Sequence, residues 1–219
     1  MRKVDPAKHD EKRRHILEAA RHSFIEKGFR GTSIADICAA AQMSPGHLYH
    51  YFPSKEAIIE AIVAMGLERV ATMTGRLARR THIVDALLAE IEQRQLGGRR
   101  PRFGLMLEME AEAARNPAIA KIMRHRDRAM RAMVGQLIRA GQERGQIDAA
   151  LDPDLAVTVM MAAIQGLRLR EFKDPDFGIR ERKNAITLLI ERFLLAQRAA
   201  PSKRKPTRAA KMELKRETP

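Results

Sequence analysis

Residues 28–62 read GFRGTSIADICAAAQMSPGHLYHYFPSKEAIIEAI, and the breaks between helical patterns in this stretch decide the fold. Before it, apolar side chains recur at three- and four-residue spacing over residues 11–27, which is the pattern of an amphipathic helix. Gly28 ends that helix, because glycine readily takes the left-handed conformation that commonly follows a helix. The chain therefore enters the stretch from a first helix and turns there.

Cap signals divide the stretch further. The hydroxyl of Thr32 or Ser33 is placed to cap the next helix, which ends near Gln42. Ser44 caps a second, very short helix, and Pro45 stands at its first position, where the missing N–H costs nothing. Two helices joined by so short a turn predict a helix-turn-helix, whose second helix is held across the first and projects outward.

The rest of the chain is helical by the same criterion. Ser54 caps a long helix that reaches residue 79. Further apolar periodicities predict helices over residues 81–97, 102–115, 117–144, 153–172 and 179–197. Hydrophobic residues make up 45% of the chain and aromatic residues 4%, with 12 Met and no Trp, which favours helices over a β-sandwich. We expect an all-α fold of about nine helices.

Composition also limits the compartment and the chemistry. No apolar run is long enough to span a bilayer, and the basic N-terminal residues are not followed by an apolar segment, so we expect a cytoplasmic protein without membrane contact. The single cysteine, Cys38, lies on the apolar face of its helix and is expected to be a small core residue. The sequence has no Ser-His-Asp set, metal-ligand cluster or phosphate-binding loop, so we expect neither an enzyme nor a cofactor.

The net charge is +14, and residues 198–219 contribute +6 of it through eight Lys or Arg against two Asp or Glu. Such basicity favours a polyanionic partner, although charge alone selects no nucleotide sequence. Residues 199–219 have little apolar content, so we expect a disordered basic tail. The charge leaves two alternatives open: a sequence-specific regulator, and an architectural DNA binder whose affinity depends on the tail.

Three runs in the opening stretch occur in register: Gly-Phe-x-Gly-Thr-Ser from residue 28, Leu-Tyr-x-Tyr-Phe from residue 48 and Ser-Lys-Glu from residue 54. With these runs, residues 10–70 closely resemble the N-terminal DNA-binding domain of the TetR family of bacterial transcriptional regulators. Gln42 departs from the family, which usually has glycine in this turn. A non-glycine residue held left-handed there costs about 1 kcal/mol, which leaves the resemblance intact.

The resemblance implies a domain order and a mechanism. Residues 10–70 would form the helix-turn-helix domain, and residues 71–198 a helical ligand-binding and dimerisation domain. The expected function is that of a sequence-specific repressor: a homodimer that binds double-stranded DNA at a pseudo-palindromic operator and is released by a small-molecule effector. The fourth helix, residues 54–79, is the expected lever between the domains, since a ligand that prefers spread recognition helices shifts the dimer away from DNA.

The short third helix is expected to be the recognition helix. His47 and His50 are placed to reach base edges, while Tyr49, Tyr51 and Lys55 are similar to family positions that hold phosphates. Each tyrosine has the alternative of packing in the core, and the His pair lacks the further ligands that a metal site needs. The full predicted DNA-binding set is Thr32, Ser33, Ser44, Pro45, Gly46, His47, Tyr49, His50, Tyr51 and Lys55.

Methionines crowd the inner faces predicted for the C-terminal helices, and methionine adapts its shape to irregular ligands. A glutamate facing inward among Glu108, Glu110 and Glu112 would pair with a cationic ligand, whereas a solvated one would pair with neighbouring arginines. Core filling is the alternative for each methionine, because apolar periodicity marks burial of any kind. The predicted ligand-binding residues are Met106, Met109, Glu110, Met130 and Met133.

The last two helices combine small and large apolar residues. Small residues let helices approach closely, and the resemblance implies that these helices pair with their copies in a four-helix dimer interface. The alternative is that they close the core of the monomer. The predicted interface residues are Ala162, Ala163, Gly166, Ile186, Leu189, Ile190 and Phe193.

Overall fold

Nine α-helices and no strand occur in the residues that the computed structural model describes, which are 5–95, 100–174 and 176–195. The helices are α1 (Pro6–Gly31), α2 (Ile34–Ala40), α3 (Pro45–Tyr51), α4 (Lys55–Ala78), α5 (Ile83–Gln95), α6 (Arg100–Ala113), α7 (Pro117–Glu143), α8 (Pro153–Lys173) and α9 (Ile179–Phe193). The predicted all-α class is confirmed. The predicted basic tail over residues 199–219 lies outside the described residues.

Helix α1 begins earlier than predicted and is kinked where a stop was predicted. The side chain of Asp5 accepts a hydrogen bond from the backbone N–H of Ala7 at 3.1 Å, and Pro6 follows at the first helical position. Gly28 has a φ of +74°, the left-handed conformation that interrupts the helix. The residues after Gly28 therefore leave the axis of α1 before the chain reaches α2.

Local caps fix the helix-turn-helix. The Ser33 hydroxyl accepts a hydrogen bond from the N–H of Asp36 at 3.1 Å, and the Asp36 carboxylate accepts one from the N–H of Ser33 at 2.8 Å, a capping box for α2. Gln42 has a φ of +52°, so the turn does hold a non-glycine residue left-handed. The Ser44 hydroxyl caps α3 by accepting from the N–H of His47 at 3.3 Å. The bounds of α3 are those predicted.

One apolar cluster holds the first four helices together and continues into α6 and α7. Leu48 is the buried side chain of α3 and is fully inaccessible to solvent. Burying a leucine contributes about 1.5–3 kcal/mol, so Leu48 anchors α3. Cys38 is buried in the same cluster, as predicted, and burial raises the pKa of its thiol. Because Met109 and Ile119 also belong to this cluster, helices α1 to α4, which form the expected DNA-binding unit, share their core with the C-terminal helices.

The C-terminal helices pack around α7, which contacts α4, α6 and α8. Helices α5 and α8 both contact α9, and a second apolar cluster forms there around the fully buried Val157 and Ile190. Gly145, with a φ of +66°, follows the end of α7 and closes it, as predicted. Within the described ranges, no helix is long and apolar enough to cross a membrane.

Candidate DNA-binding surface and ligand cavity

Helix α3 presents most of its side chains to solvent. Leu48 turns inward, whereas the next side chain, Tyr49, is 50% exposed. The exposed residues at the start of the helix and along it are Ser44, Pro45, Gly46, His47, Tyr49 and His50. A helix that enters the major groove must offer its side chains outward, so the exposure of α3 fits the predicted recognition helix, whose contacts with DNA stay a prediction.

Tyr51 lies between this surface and the core. Its side chain is half-buried and packs against the apolar cluster, in keeping with the packing alternative for this tyrosine. Its ring centroid lies 4.8 Å from that of His9 and 5.5 Å from those of His47 and His50. His9 belongs to α1, and local sequence patterns give no signal for it because the contact joins distant parts of the chain. Tyr51 thus holds the start of α1 beside the recognition helix.

Thr32 does not reach the surface. Its side chain is 1% exposed, and its hydroxyl lies 2.7 Å from the carbonyl oxygen of Gly28 and 3.0 Å from that of Ser23. The hydroxyl proton is therefore donated within the fold. The predicted contact of this hydroxyl with DNA is corrected: Thr32 fixes the entry to α2. The adjacent Ser33 is exposed, although its hydroxyl already serves the capping box.

Lys55 ties the start of α4 to the end of α1. Its ammonium donates to the carbonyl oxygens of Phe29 at 2.7 Å and of Thr32 at 3.0 Å, and Nζ lies 4.3 Å from the centroid of the Phe29 ring. Since an ammonium has three N–H donors, one is left for a phosphate. A second cation, Arg13 of α1, lies 4.6 Å from the centroid of the Phe52 ring directly after α3. Both cations therefore flank the recognition helix.

A cavity of about 510 Å³ lies among helices α4 to α9. This volume is typical of sites that take small organic molecules. Of the predicted ligand-binding residues, Met106, Met109 and Met130 line its wall, and binding by them stays a prediction. Met133 is not part of the wall and Glu110 is exposed, so the prediction is corrected for these two. Successive helical residues point about 100° apart, and Glu110 therefore turns away from the cavity that Met109 faces.

The cavity wall is mostly apolar and has few charges. Two of the described lining residues carry carboxylates, and each has a cationic partner. Glu90 forms a salt bridge with Arg76, and Glu171 forms one with Arg182. Methionine is frequent in the wall, at Met73, Met106, Met109, Met123, Met130, Met160 and Met161. Within the described residues, no group of three or more His, Cys, Asp or Glu is placed to hold a metal ion.

Helix α6 joins the cavity to the DNA-binding unit. The N–H of Phe29 donates to Glu108 Oε1 at 2.6 Å, and the Nε of Arg30 donates to Glu112 at 2.7 Å. The second hydrogen bond lowers the pKa of Glu112 and raises the pKa of Arg30. Glycine is favoured at position 28 because of its φ of +74°, and a Cβ there would also lie 2.8 Å from Glu108 Oε1 and displace that carboxylate. Because Glu108 and Glu112 bind groups of α1, the alternative that one of them faces inward and pairs with a cationic ligand is wrong for both.

One face of α8 and part of α9 expose large apolar side chains. Leu155 on α8 is 62% exposed, and Leu188 on α9 is 57% exposed. On α8 the exposed small and apolar residues recur every three or four positions, at Leu155, Val159, Ala162, Gly166 and Leu169. Apolar residues that line up on an exposed helix face mark an interaction surface.

The predicted dimer residues divide into three groups. Ala162 and Gly166 lie on the exposed face of α8. Ala163, Leu189 and Phe193 are half-buried. Two others, Ile186 and Ile190, are 4% and 0% exposed in the core of the monomer, so the prediction is corrected for both. Apolar periodicity marked these isoleucines as buried but carried no information on which surface buries them.

Two helices joined by a short capped turn, with the second facing outward, have the arrangement of helix-turn-helix regulators. Two family models match this chain: "Bacterial regulatory proteins, tetR family" over residues 16–62, and "BetI-type transcriptional repressor, C-terminal" over residues 76–196. The chain belongs to the TetR family of bacterial transcriptional regulators, which are DNA-binding proteins and not enzymes.

Individual relatives agree with this membership. The transcriptional regulator UidR of Escherichia coli strain K12 is 32% identical over 157 residues, which are 71% of this chain and 79% of that protein. The structure of Salmonella enterica GusR matches with a TM-score of 0.67 at 31% identity, over 83% of this chain and 96% of that chain. A SmeT–triclosan complex has a TM-score of 0.72 at 20% identity, over 85% and 93% of the two chains, which shows the shared fold. The predicted family and its regulatory function are confirmed.

Proposed function

We propose that this regulator is a homodimeric repressor that acts in the cytoplasm, binds a pseudo-palindromic operator through its two α3 helices, and leaves DNA when a small molecule fills the cavity. One observation supports this proposal above the others. Helix α6 lines the cavity with Met106 and Met109, and the same helix holds the end of α1 through Glu108. A change in the shape of the cavity therefore acts directly on the DNA-binding unit.

On DNA, the exposed side chains on and around α3 make two kinds of contact, with base edges and with phosphates. The imidazoles of His47 and His50 have ring nitrogens that pair with base edges in the major groove. The phenol of Tyr49, the free N–H of Lys55 and the exposed cap residue Ser44 bind phosphates and fix the register. Two such helices read both half-sites when they lie about 34–36 Å apart, one turn of DNA.

The exposed apolar face of α8 and α9 supports the dimer. Leu155, Val159 and Leu188 are all exposed, and a group of exposed apolar side chains is unfavourable on the surface of a free monomer. A twofold axis through this face buries them against their own copies and places the two α3 helices symmetrically. The half-buried Leu189 and Phe193 lie next to this face on α9. The match to a repressor-type C-terminal domain supports repression as the sign of regulation.

Helix α4 carries the second route from ligand to DNA. Lys55 at its start is bonded to the end of α1, and residues from Ile59 to Thr74 line the cavity. A ligand that binds better to the arrangement with spread α3 helices weakens operator binding by the difference of its two affinities. SmeT, which has the same fold, holds triclosan, and that complex supports a small molecule as the signal here too.

Footprinting tests the proposal. Purified protein is bound to the intergenic DNA beside its own gene, with wild type compared with Tyr49→Ala, His47→Ala and the control His22→Ala. His22 is an exposed histidine of α1 outside the recognition helix. We expect a protected site of two half-sites, lost with Tyr49→Ala, altered in base preference with His47→Ala and unchanged with His22→Ala. A diffuse, salt-sensitive coating that ignores both α3 substitutions would show instead an architectural binder.

A further inference from the structure

The charged side chains of the cavity wall differ in the partners that they contact. Glu90 and Glu171 each have an arginine partner, and the partner of Glu171, Arg182, itself lines the cavity. Arg168 lies 5.7 Å from the centroid of the Phe103 ring. Arg126 of α7 is the exception: among the described residues it forms neither a hydrogen bond nor a salt bridge.

The surroundings of Arg126 do not replace such a partner. Burial lowers the pKa of its guanidinium, while the more distant carboxylates of Glu110 and Asp127 oppose that shift. Asp127 is bonded to Arg131 at 2.9 Å, and Glu110 is exposed. Because an arginine keeps its proton in proteins, the cavity contains a fixed positive charge. Arg126 is half-buried, so its charge is partly withdrawn from water without a partner, and a ligand that supplies the opposite charge reduces this cost.

The neighbours of Arg126 describe the rest of the ligand. Met123 and Met130 lie three residues before and four residues after it on α7, so all three side chains share one face of the helix. The residues that α4 and α6 contribute to the wall are almost all apolar, with Leu105 and Met106 among them. A ligand of this cavity therefore meets Arg126 among flexible methionines, on a wall that is mostly apolar.

We infer that the effector is an amphiphilic anion: an apolar molecule with a single oxyanion group, a carboxylate or a phosphate, that pairs with Arg126. A planar guanidinium binds either group through two parallel N–H···O bonds. A cationic effector does not fit the same wall, since both carboxylates of the described wall already hold arginines. This inference rests on the proposed function, because it names the chemical class of the effector.

A charge series with one apolar body tests the inference. Dodecanoate, dodecyl phosphate, dodecanol and dodecyltrimethylammonium are titrated into the full-length protein below their micelle concentrations, and binding is measured by calorimetry. The variants are Arg126→Met, which keeps an unbranched apolar stem and removes the guanidinium, and the control Arg128→Met, at an exposed arginine of the same helix.

We expect at least one of the two anions to bind wild type at least tenfold more tightly than the alcohol or the cation. Arg126→Met should abolish this preference, and Arg128→Met should retain it. The inference is overturned if the neutral or cationic member binds as well as the anions, if the preference survives Arg126→Met, or if no member binds. The operator footprint of the same variants is read separately, without ligand. A missing wild-type footprint defeats the proposed function, whereas a normal footprint with no anion preference defeats only this inference.

Discussion

The contact between α6 and α1 gives a prediction whose size follows from the structure. The N–H of Phe29 lies just after the kink at Gly28, where the helical hydrogen-bond pattern is interrupted, and it donates to Glu108 at 2.6 Å. Phe29 is 3% exposed, so water does not readily replace the carboxylate. The substitution Glu108→Ala leaves this N–H without an acceptor. Glu108→Gln keeps a neutral acceptor at the same length.

A buried donor that loses its acceptor costs about 1–3 kcal/mol. For a chain of this length, each kcal/mol lowers the midpoint of thermal unfolding by about 2–4 °C. We therefore expect Glu108→Ala to lower that midpoint by about 2–12 °C. Glu108→Gln should lower it by less than half as much, because a neutral acceptor keeps about half the strength of a charge-assisted bond. Glu110→Ala, an exposed glutamate of the same helix, should change the free energy of unfolding by less than about 0.5 kcal/mol.

The measurement is calorimetric unfolding of the four proteins at one protein concentration, since the stability of a dimer depends on concentration. The same proteins are then tested for ligand-dependent release from the operator, and Glu108→Ala should weaken the coupling between the two sites. Equal midpoints for Glu108→Ala and Glu110→Ala would refute the reasoning that this bond is a structural link between α6 and the DNA-binding unit.

Three further outcomes are expected. Leu155→Glu and Leu188→Glu place a charge on the exposed apolar face, so each should yield a folded monomer in sedimentation; a stable dimer in both would show that the interface lies elsewhere. The hydrogen bond from Lys27 lowers the pKa of Asp36, so this carboxylate stabilises the fold above about pH 4 and its contribution fades as the pH falls below that value. In denaturant titrations between pH 7 and pH 3, Asp36→Asn should therefore make the free energy of unfolding fall less steeply with pH than in wild type. An unchanged pH dependence would contradict this role. Cys38 should react with a disulfide reagent far more slowly in the native protein than in urea, because its buried thiol has a raised pKa; equal rates would show that the core around α2 opens freely.

The sequence by itself determined the elements that depend on neighbouring residues. The capped bounds of α3, the left-handed Gly28 and the left-handed Gln42 all follow from caps and turns, whose physics acts over a few residues. For this reason the short helix α3 and the family could be predicted from the opening stretch alone.

Only the tertiary structure decided which surface each periodic side chain faces. Thr32 turned out to be buried, and Ile190 closes the monomer instead of the dimer, because periodicity marks burial without naming the partner. Glu108 meets Phe29 across 79 positions of sequence, and the cavity places Arg126 among methionines of other helices. Such contacts depend on how whole helices pack against each other. That packing is set by the total burial of apolar area and by ion pairs between residues far apart in sequence, which no short stretch of sequence contains.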